Sequence, residues 1–293
     1  MTKLSILMGV HNGAPTLDRA IQSILEQDYL NWEFIICDDG STDNTWETLS
    51  KYTSHENFTI LQNITNHGLG YTLNKCLKKA CGEYIGRMDA DDISYPHRLG
   101  EQVKFLEKNP QVSVVGTYAS IYDENGLIWG QNCPPTEPVL EDWLKGPCVI
   151  HASVVVNKKA LDAMKGYDIE AKRIEDYDLW LRMLAKNYII CTIPIELYGI
   201  RWDYKDYLRR INNNRILDFK YRMRRFHKLD VPFYKYFAYS LKVLIPILIP
   251  KFFLHIYHSY KMKHPSITSN INNSRYNIED LLNTLRIHNY DSP

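Results

Sequence analysis

The stretch Phe34-Ile35-Ile36-Cys37-Asp38-Asp39-Gly40-Ser41-Thr42-Asp43 decides the fold class. Four apolar residues run without alternation into a polar turn, after which Thr45 to Tyr52 reads as a helix. An unbroken apolar run of this length is a strand covered on both faces, as in parallel sheets whose crossovers are helices. The same unit stands before it. Leu4 to Val10 is an apolar strand closed by His11-Asn12-Gly13, followed by a helix with Leu17, Ala20, Ile21, Ile24 and Leu25 on one face and Thr16 as its candidate cap. It recurs downstream as a strand over Phe58 to Gln62, a helix over Leu69 to Ala80 and a strand over Glu83 to Met88. The alternation predicts an α/β fold, a Rossmann-like, mostly parallel sheet sandwiched by helices. Beyond it, Val112 to Ser120 and Val149 to Val156 read as strands, Asp123-Glu124-Asn125-Gly126 as a turn, and Glu175-Asp176-Tyr177-Asp178 as the start of a helix reaching about Lys186.

Ligands of such sheets bind outside the carboxyl ends of the strands. His11-Asn12, Asp38-Asp39 and Asp89-Ala90-Asp91-Asp92 all begin where a strand stops, so they are expected to converge. The last run sets two or three carboxylates on a tight turn, a donor set suited to a hard divalent cation and through it to a diphosphate. For Asp38-Asp39 two readings stand side by side. A carboxylate at a strand end can bind a nucleoside, and it can equally close a turn or cap the next helix. Glu175-Asp176 is likewise either a general base or simple pairing of acids with a helix N-terminus.

At 293 residues the chain holds one large domain, or one with a smaller appendage. The six cysteines lack metal-site spacing, so reduced core thiols are expected, and the N-terminus carries no cleavable leader pattern, which predicts a cytoplasmic protein. The net charge of +1 conceals a split. Arg201 to His264 holds fifteen Lys and Arg against four Asp and Glu, a net of +11, leaving −10 for the remainder. We therefore divide the chain into residues 1–202, which carry the strand-end motifs, and 203–293, a basic, aromatic-rich helical extension ending in a short helix over Ile278 to Ile287. The extension's longest uncharged stretch, Val243 to Pro250, is too short to span a bilayer, which takes roughly 20 apolar residues. It suits either a segment lying on the inner membrane face or helices packed on the core or on another subunit. A pI near 7.6 argues against nucleic acid as a partner.

Four motifs in order, Ser5 to Gly13, Asp38 to Thr45, Arg87 to Asp92 and Glu175 to Trp180, resemble family 2 glycosyltransferases of the GT-A fold over about residues 3–200. The resemblance implies inverting transfer of a sugar from a UDP-sugar to a hydroxyl of a glycan or glycolipid acceptor, with Mn2+ or Mg2+. It implies that His11 stacks on the base, where Tyr is more usual, with Asn12 beside it. Asp39 would bond the base, Asp89 the ribose or donor sugar, and Asp91 the metal. Arg87 and the Asn66-His67-Gly68-Leu69 segment would line the donor pocket, and Asp176 would be the base. Glu175, Asp92 and Asp178 are expected to support, and His151 matches a position where relatives often carry His. A Tyr-Arg-x-His run common in relatives is replaced by Tyr198-Gly199-Ile200-Arg201, which leaves Arg201 as a candidate cation for the diphosphate. A nucleotidyltransferase is the alternative enzyme class, but the first turn lacks the glycine-rich basic loop that chemistry needs.

Overall fold

The computed structural model describes residues 3–202 and 215–245, with isolated positions from 249 to 260. The helix expected over Ile278 to Ile287 lies outside the described residues. The first half alternates as predicted: β1 (Leu4–Val10), α1 (Ala14–Leu25), β2 (Trp32–Asp39), α2 (Thr45–Ser50), β3 (Phe58–Asn63), α3 (Leu69–Leu77) and β4 (Tyr84–Arg87). Then come β5 (Ile93–Ser94), α4 (Arg98–Lys108), β6 (Val112–Tyr122), β7 (Ile128–Asn132), α5 (Leu140–Lys145), β8 (Val155–Asn157), α6 (Lys158–Ala163), α7 (Glu175–Leu184) and β9 (Ile189–Arg201). Two helices of the extension are described, α8 (Arg215–Phe226) and α9 (Phe233–Lys242).

The strands form one sheet in the order β3-β2-β1-β4-β8-β6-β9-β5, with β7 beside β6. The β3-β2-β1-β4 portion is parallel throughout, as is β6 against β9, while β8 runs antiparallel to both neighbours. Strand alternation buries both faces. Leu4, Ile6, Met8, Phe34 and Ile36 meet Leu17, Ile21 and Ile24 of α1 and Leu99 and Val103 of α4. Leu7, Ile35 and Cys37 point the other way, toward Leu73 of α3, Leu161 of α6 and Leu179, Trp180 and Met183 of α7.

Several local expectations are corrected. Thr16 does not cap α1; Gly13 holds that position, and the Thr16 hydroxyl donates back to the Gly13 carbonyl inside the first turn. The strand expected over Val149 to Val156 is confined to Val155–Asn157, because His151–Ser153 forms a 3-10 turn. That turn is held from afar: the Thr117 amide donates to Ser153 Oγ at 3.1 Å and Gln102 Nε2 to the Ser153 carbonyl at 2.7 Å. Helix α4 is an addition to the elements expected from sequence, and Tyr198 to Arg201 forms the end of β9.

The described helices of the basic extension pack onto the α/β unit formed by residues 3–202. Phe226, Leu229 and Tyr236 join the core that contains Leu179 and Trp180. Arg222 lies over the Tyr177 ring at 4.6 Å and donates to the Leu144 carbonyl, so part of the positive charge is internal. Among the described residues no helix is long and apolar enough to cross a membrane.

Candidate functional site

The chain leaves the sheet centre at the end of β4, where the Met88 amide donates to the Leu7 carbonyl, and enters the acidic turn. Three contacts from distant strands fix that turn. The Asp89 amide donates to the buried Tyr198 hydroxyl at 3.2 Å, the Tyr122 hydroxyl donates to the Asp91 carbonyl at 3.1 Å, and the Arg201 amide donates to Asp92 Oδ1 at 2.9 Å. Carboxylate oxygens of Asp89, Asp91 and Asp92 come within 4.8 Å of one another. Three anions held this close repel unless a cation sits among them, and all three offer the oxygen ligands that Mn2+ or Mg2+ takes. Asp92, expected only to support, is thus the third and most buried member of the trio.

Beneath the turn lie two buried arginines. Arg87 pairs through Nη2 with Asp89 at 2.5 Å, and although burial pulls its pKa down, the Asp89 carboxylate together with Tyr167 and Tyr198 more than offsets this and the group stays charged. Arg98, which no sequence motif singles out, donates through Nε to Ser94 Oγ and through Nη1 to the Arg87 carbonyl, and stacks on the Tyr198 ring at 5.2 Å. Burial lowers its pKa to about 10, which leaves it protonated near neutrality. The two guanidiniums form a fixed positive floor under the carboxylates.

The second element comes from β2 and β3. The Asp39 carboxylate accepts from the His67 and Gly68 amides at 3.0 and 2.8 Å and from Asn63 Nδ2 at 2.7 Å. It therefore shapes the loop expected to line the donor pocket, where Gly68 adopts φ 89° with open space at its missing Cβ. Gly40 has a similar need. At φ 68° a Cβ there would lie 2.6 Å from the Thr65 carbonyl carbon, so only glycine lets the two loops touch. Asp38 closes the turn by accepting from the Ser41 amide, and Asp43 accepts from the Thr45 amide and hydroxyl at the start of α2. Asp38 thus closes a turn, whereas the cap position of α2 is held by Asn44, which makes no side-chain cap hydrogen bond. His11 lies exposed beside this turn, its Nδ1 3.0 Å from the Asp39 carbonyl, and Asn12, at φ 53°, accepts from the Thr42 amide.

The third element is the first turn of α7. Burial, reinforced by Asp176, raises the Glu175 carboxyl to about 7, and burial also raises Asp176. The Arg87 charge acts on both carboxyls and on His151 and Tyr167, while Asp89 acts on Asp176, His151 and Tyr167. The β4 end and the α7 start therefore share one electrostatic neighbourhood. His151 Nε2 lies 2.9 Å from the Tyr167 hydroxyl, and burial lowers its pKa to about 3, so it is a neutral imidazole. Tyr167 is absent from the sequence-derived site; its position after a Gly166 turn gives no motif to read. Arg201 is half-buried and joins the site through its backbone contact with Asp92.

Residues 5–164 match the family described as Glycosyl transferase family 2. EpsE of Bacillus subtilis, assigned as a glycosyltransferase, is 36% identical over 89% of this chain and 94% of EpsE. The UDP-Glc:alpha-D-GlcNAc-diphosphoundecaprenol beta-1,3-glucosyltransferase WfgD of Escherichia coli is 33% identical over 64% of this chain and 71% of WfgD. Among solved structures, the mannosyltransferase PcManGT of Pyrobaculum calidifontis, in complex with GDP-Man and Mn2+, aligns with a TM-score of 0.61 at 17% identity, covering 99% of this chain and 87% of that one. S. aureus TarS 1-349 in complex with UDP-GlcNAc aligns with a TM-score of 0.61 at 19% identity, covering 84% of this chain and 71% of that one. At such identities the structural likeness concerns the fold.

Proposed function

The chain belongs to glycosyltransferase family 2, and from that premise we propose that it is a metal-dependent, inverting enzyme that moves a hexosyl or N-acetylhexosaminyl group from a UDP-sugar to a hydroxyl of a lipid-linked or surface glycan precursor. The observation that carries the reading is the acidic trio at the end of β4, facing the raised carboxyls at the start of α7.

In this reading Asp91 is the main metal ligand, with Asp92 and Asp89 completing the trio and Asp89 also facing the donor. The bound cation would screen the negative charge that builds on the departing nucleoside diphosphate. His11 and Asn12 flank the base, Asp39 holds the loop containing Gly68 against it, and Arg201 adds positive charge near the diphosphate. Asp176 takes the acceptor hydroxyl proton as that oxygen attacks the anomeric carbon and the bond to the diphosphate breaks. Burial, helped by the Asp89 charge, raises the Asp176 carboxyl above its ordinary value and so favours uptake of a proton there. WfgD, by its name, acts on a diphosphoundecaprenol-linked sugar, which supports a lipid-linked acceptor at the inner face of the membrane.

The test needs no acceptor. Purified protein with Mn2+ is incubated with a panel of UDP- and GDP-sugars, and release of nucleoside diphosphate is measured. Faster release from one UDP-sugar is expected; release from GDP-sugars alone would overturn the donor assignment.

A further inference from the structure

A cavity of about 400 Å³ lies between the turn after α6, one face of α7 and the end of α8, and none of the acidic trio lines it. Five cations line it: Lys165, Arg182, Lys186, Arg225 and Lys228; no carboxylate is among its lining residues. Two acids stand behind them. Asp178 pairs with Arg182 and Arg225, and Asp168 pairs with Arg225. Five positive charges against two negative leave three uncompensated, and these belong to the lysines. The Lys165 and Lys228 amines make no ion pair or hydrogen bond among the described residues, and Lys186 reaches only the Ala163 carbonyl, at 3.4 Å.

The rim is preorganised. Lys165 ends α6 at φ 59°, with its amide donating to the Asp162 carbonyl and the Gly166 amide to the Leu161 carbonyl, a closure that ordinarily takes Gly or Asn. A lysine in this disfavoured conformation persists because its surroundings enforce it. The Arg182 fork does so, donating through Nη1 to the Met164 carbonyl at 2.7 Å and through Nη2 to the Gly166 carbonyl at 2.9 Å. A concave, rigid, water-accessible pocket with three unbalanced ammonium groups focuses positive potential and suits a compact polyanion.

We propose that this cleft is a second anion site, separate from the acidic turn, that takes a phosphate or diphosphate group. The same chemistry could come from a membrane lipid headgroup or from a soluble phosphate compound. Independence from the metal site is built into the test: pyrophosphate is titrated into the full chain by calorimetry in excess EDTA, so that no divalent cation can recruit it to the trio.

Saturable binding is expected, weakened at least about tenfold in the triple variant Lys165→Ala, Lys186→Ala, Lys228→Ala, since removing even one charged hydrogen bond weakens binding by roughly that factor. Lys228→Glu alone, which leaves the α6 turn intact, should weaken binding in the same direction. Hydrolysis of the UDP-sugar should be unchanged. Cosedimentation with phosphatidylglycerol and phosphatidylcholine vesicles then assigns the source. Loss of phosphatidylglycerol binding in the triple variant points to a headgroup, and unchanged vesicle binding with abolished pyrophosphate binding to a soluble phosphate. No saturable pyrophosphate binding by the native chain, or equal affinity in the variants, overturns the proposal.

Discussion

Arg225 Nε donates to one oxygen of the buried Asp178 carboxylate at 2.5 Å, while Arg182 donates to the other at 2.7 Å. Asp178 stands two residues beyond Asp176 in α7, so the start of that helix is tied to the basic extension. Removing the acid takes the shared buried partner from both guanidiniums and leaves only Asp168 against Arg225, whereas removing one arginine leaves the other on Asp178. Asp178→Ala should therefore destabilise the fold by about 3–5 kcal/mol, and Arg225→Met by less. Urea unfolding followed by circular dichroism measures both. Equal midpoints for Asp178→Ala and the native chain would remove the structural role assigned to this pair.

The trio makes a separable claim about Asp92. Asp91→Asn and Asp92→Asn should each reduce Mn2+-supported turnover by about a hundredfold or more, as expected when several kcal/mol of charge stabilisation are lost. Asp92 also holds the Arg201 amide, a contact that an asparagine oxygen can keep, so the fold should survive. Turnover that persists with Asp92→Asn, at unchanged Mn2+ dependence, would return Asp92 to a purely structural part. Insensitivity of the native enzyme to EDTA would sink the metal assignment as a whole.

Glu175 supplies a prediction with a definite sign. Its carboxyl stands at about 7 in the folded protein against an ordinary 4.5, chiefly through burial. Below pH 4.5 it is protonated in both folded and unfolded chains and has no net effect. Between pH 4.5 and 7 the unfolded chain is the more ionised, so the native state loses stability as pH rises, and above 7 that penalty is complete. Glu175→Gln should thus raise the melting temperature at pH 8 while leaving it near the native value at pH 4. Asp176→Asn should cost at least about 10²-fold in transfer while donor binding remains. A melting-temperature gain that is the same at pH 4 and pH 8 would contradict the account of Glu175.

Much of this arrangement is legible in the sequence because it depends on local periodicity. The apolar runs ending at Val10, Cys37 and Met88 locate three adjacent parallel strands, and their polar ends locate the site. What depends on distant partners is not legible. Nothing in Val149 to Val156 reveals that Gln102 and Thr117 hold Ser153 in a turn, and the apolar composition reads as a strand. Asp39 shows the same limit: spacing offers it as a base ligand or a cap, whereas its three donors come from Asn63, His67 and Gly68, which reach it only once β3 pairs with β2. Tyr198 and Tyr122, which brace the acidic turn, lie 109 and 31 residues from their partners.

The basic extension invites a membrane test finer than truncation. Deleting the chain after Asp230 would strip Tyr236 from the core it shares with Trp180, so loss of binding would be confounded with unfolding. Point variants avoid this. Phe233, Tyr234 and Phe237 of α9 are 62%, 75% and 38% exposed, and Phe233 stacks on Phe237 at 5.6 Å, whereas Lys235 is bound to Glu141 at 3.0 Å. Apolar side chains rather than that lysine are therefore the expected membrane contact, with aromatic rings entering the headgroup boundary. Phe233→Ser with Phe237→Ser should lower the partition onto anionic vesicles by about tenfold or more at an unchanged melting temperature, because each buried ring contributes roughly 1.5–3 kcal/mol when removed from water. Lys235→Gln should change it little. If the double variant binds vesicles as the native chain does, α9 is a packing helix and the membrane contact lies elsewhere.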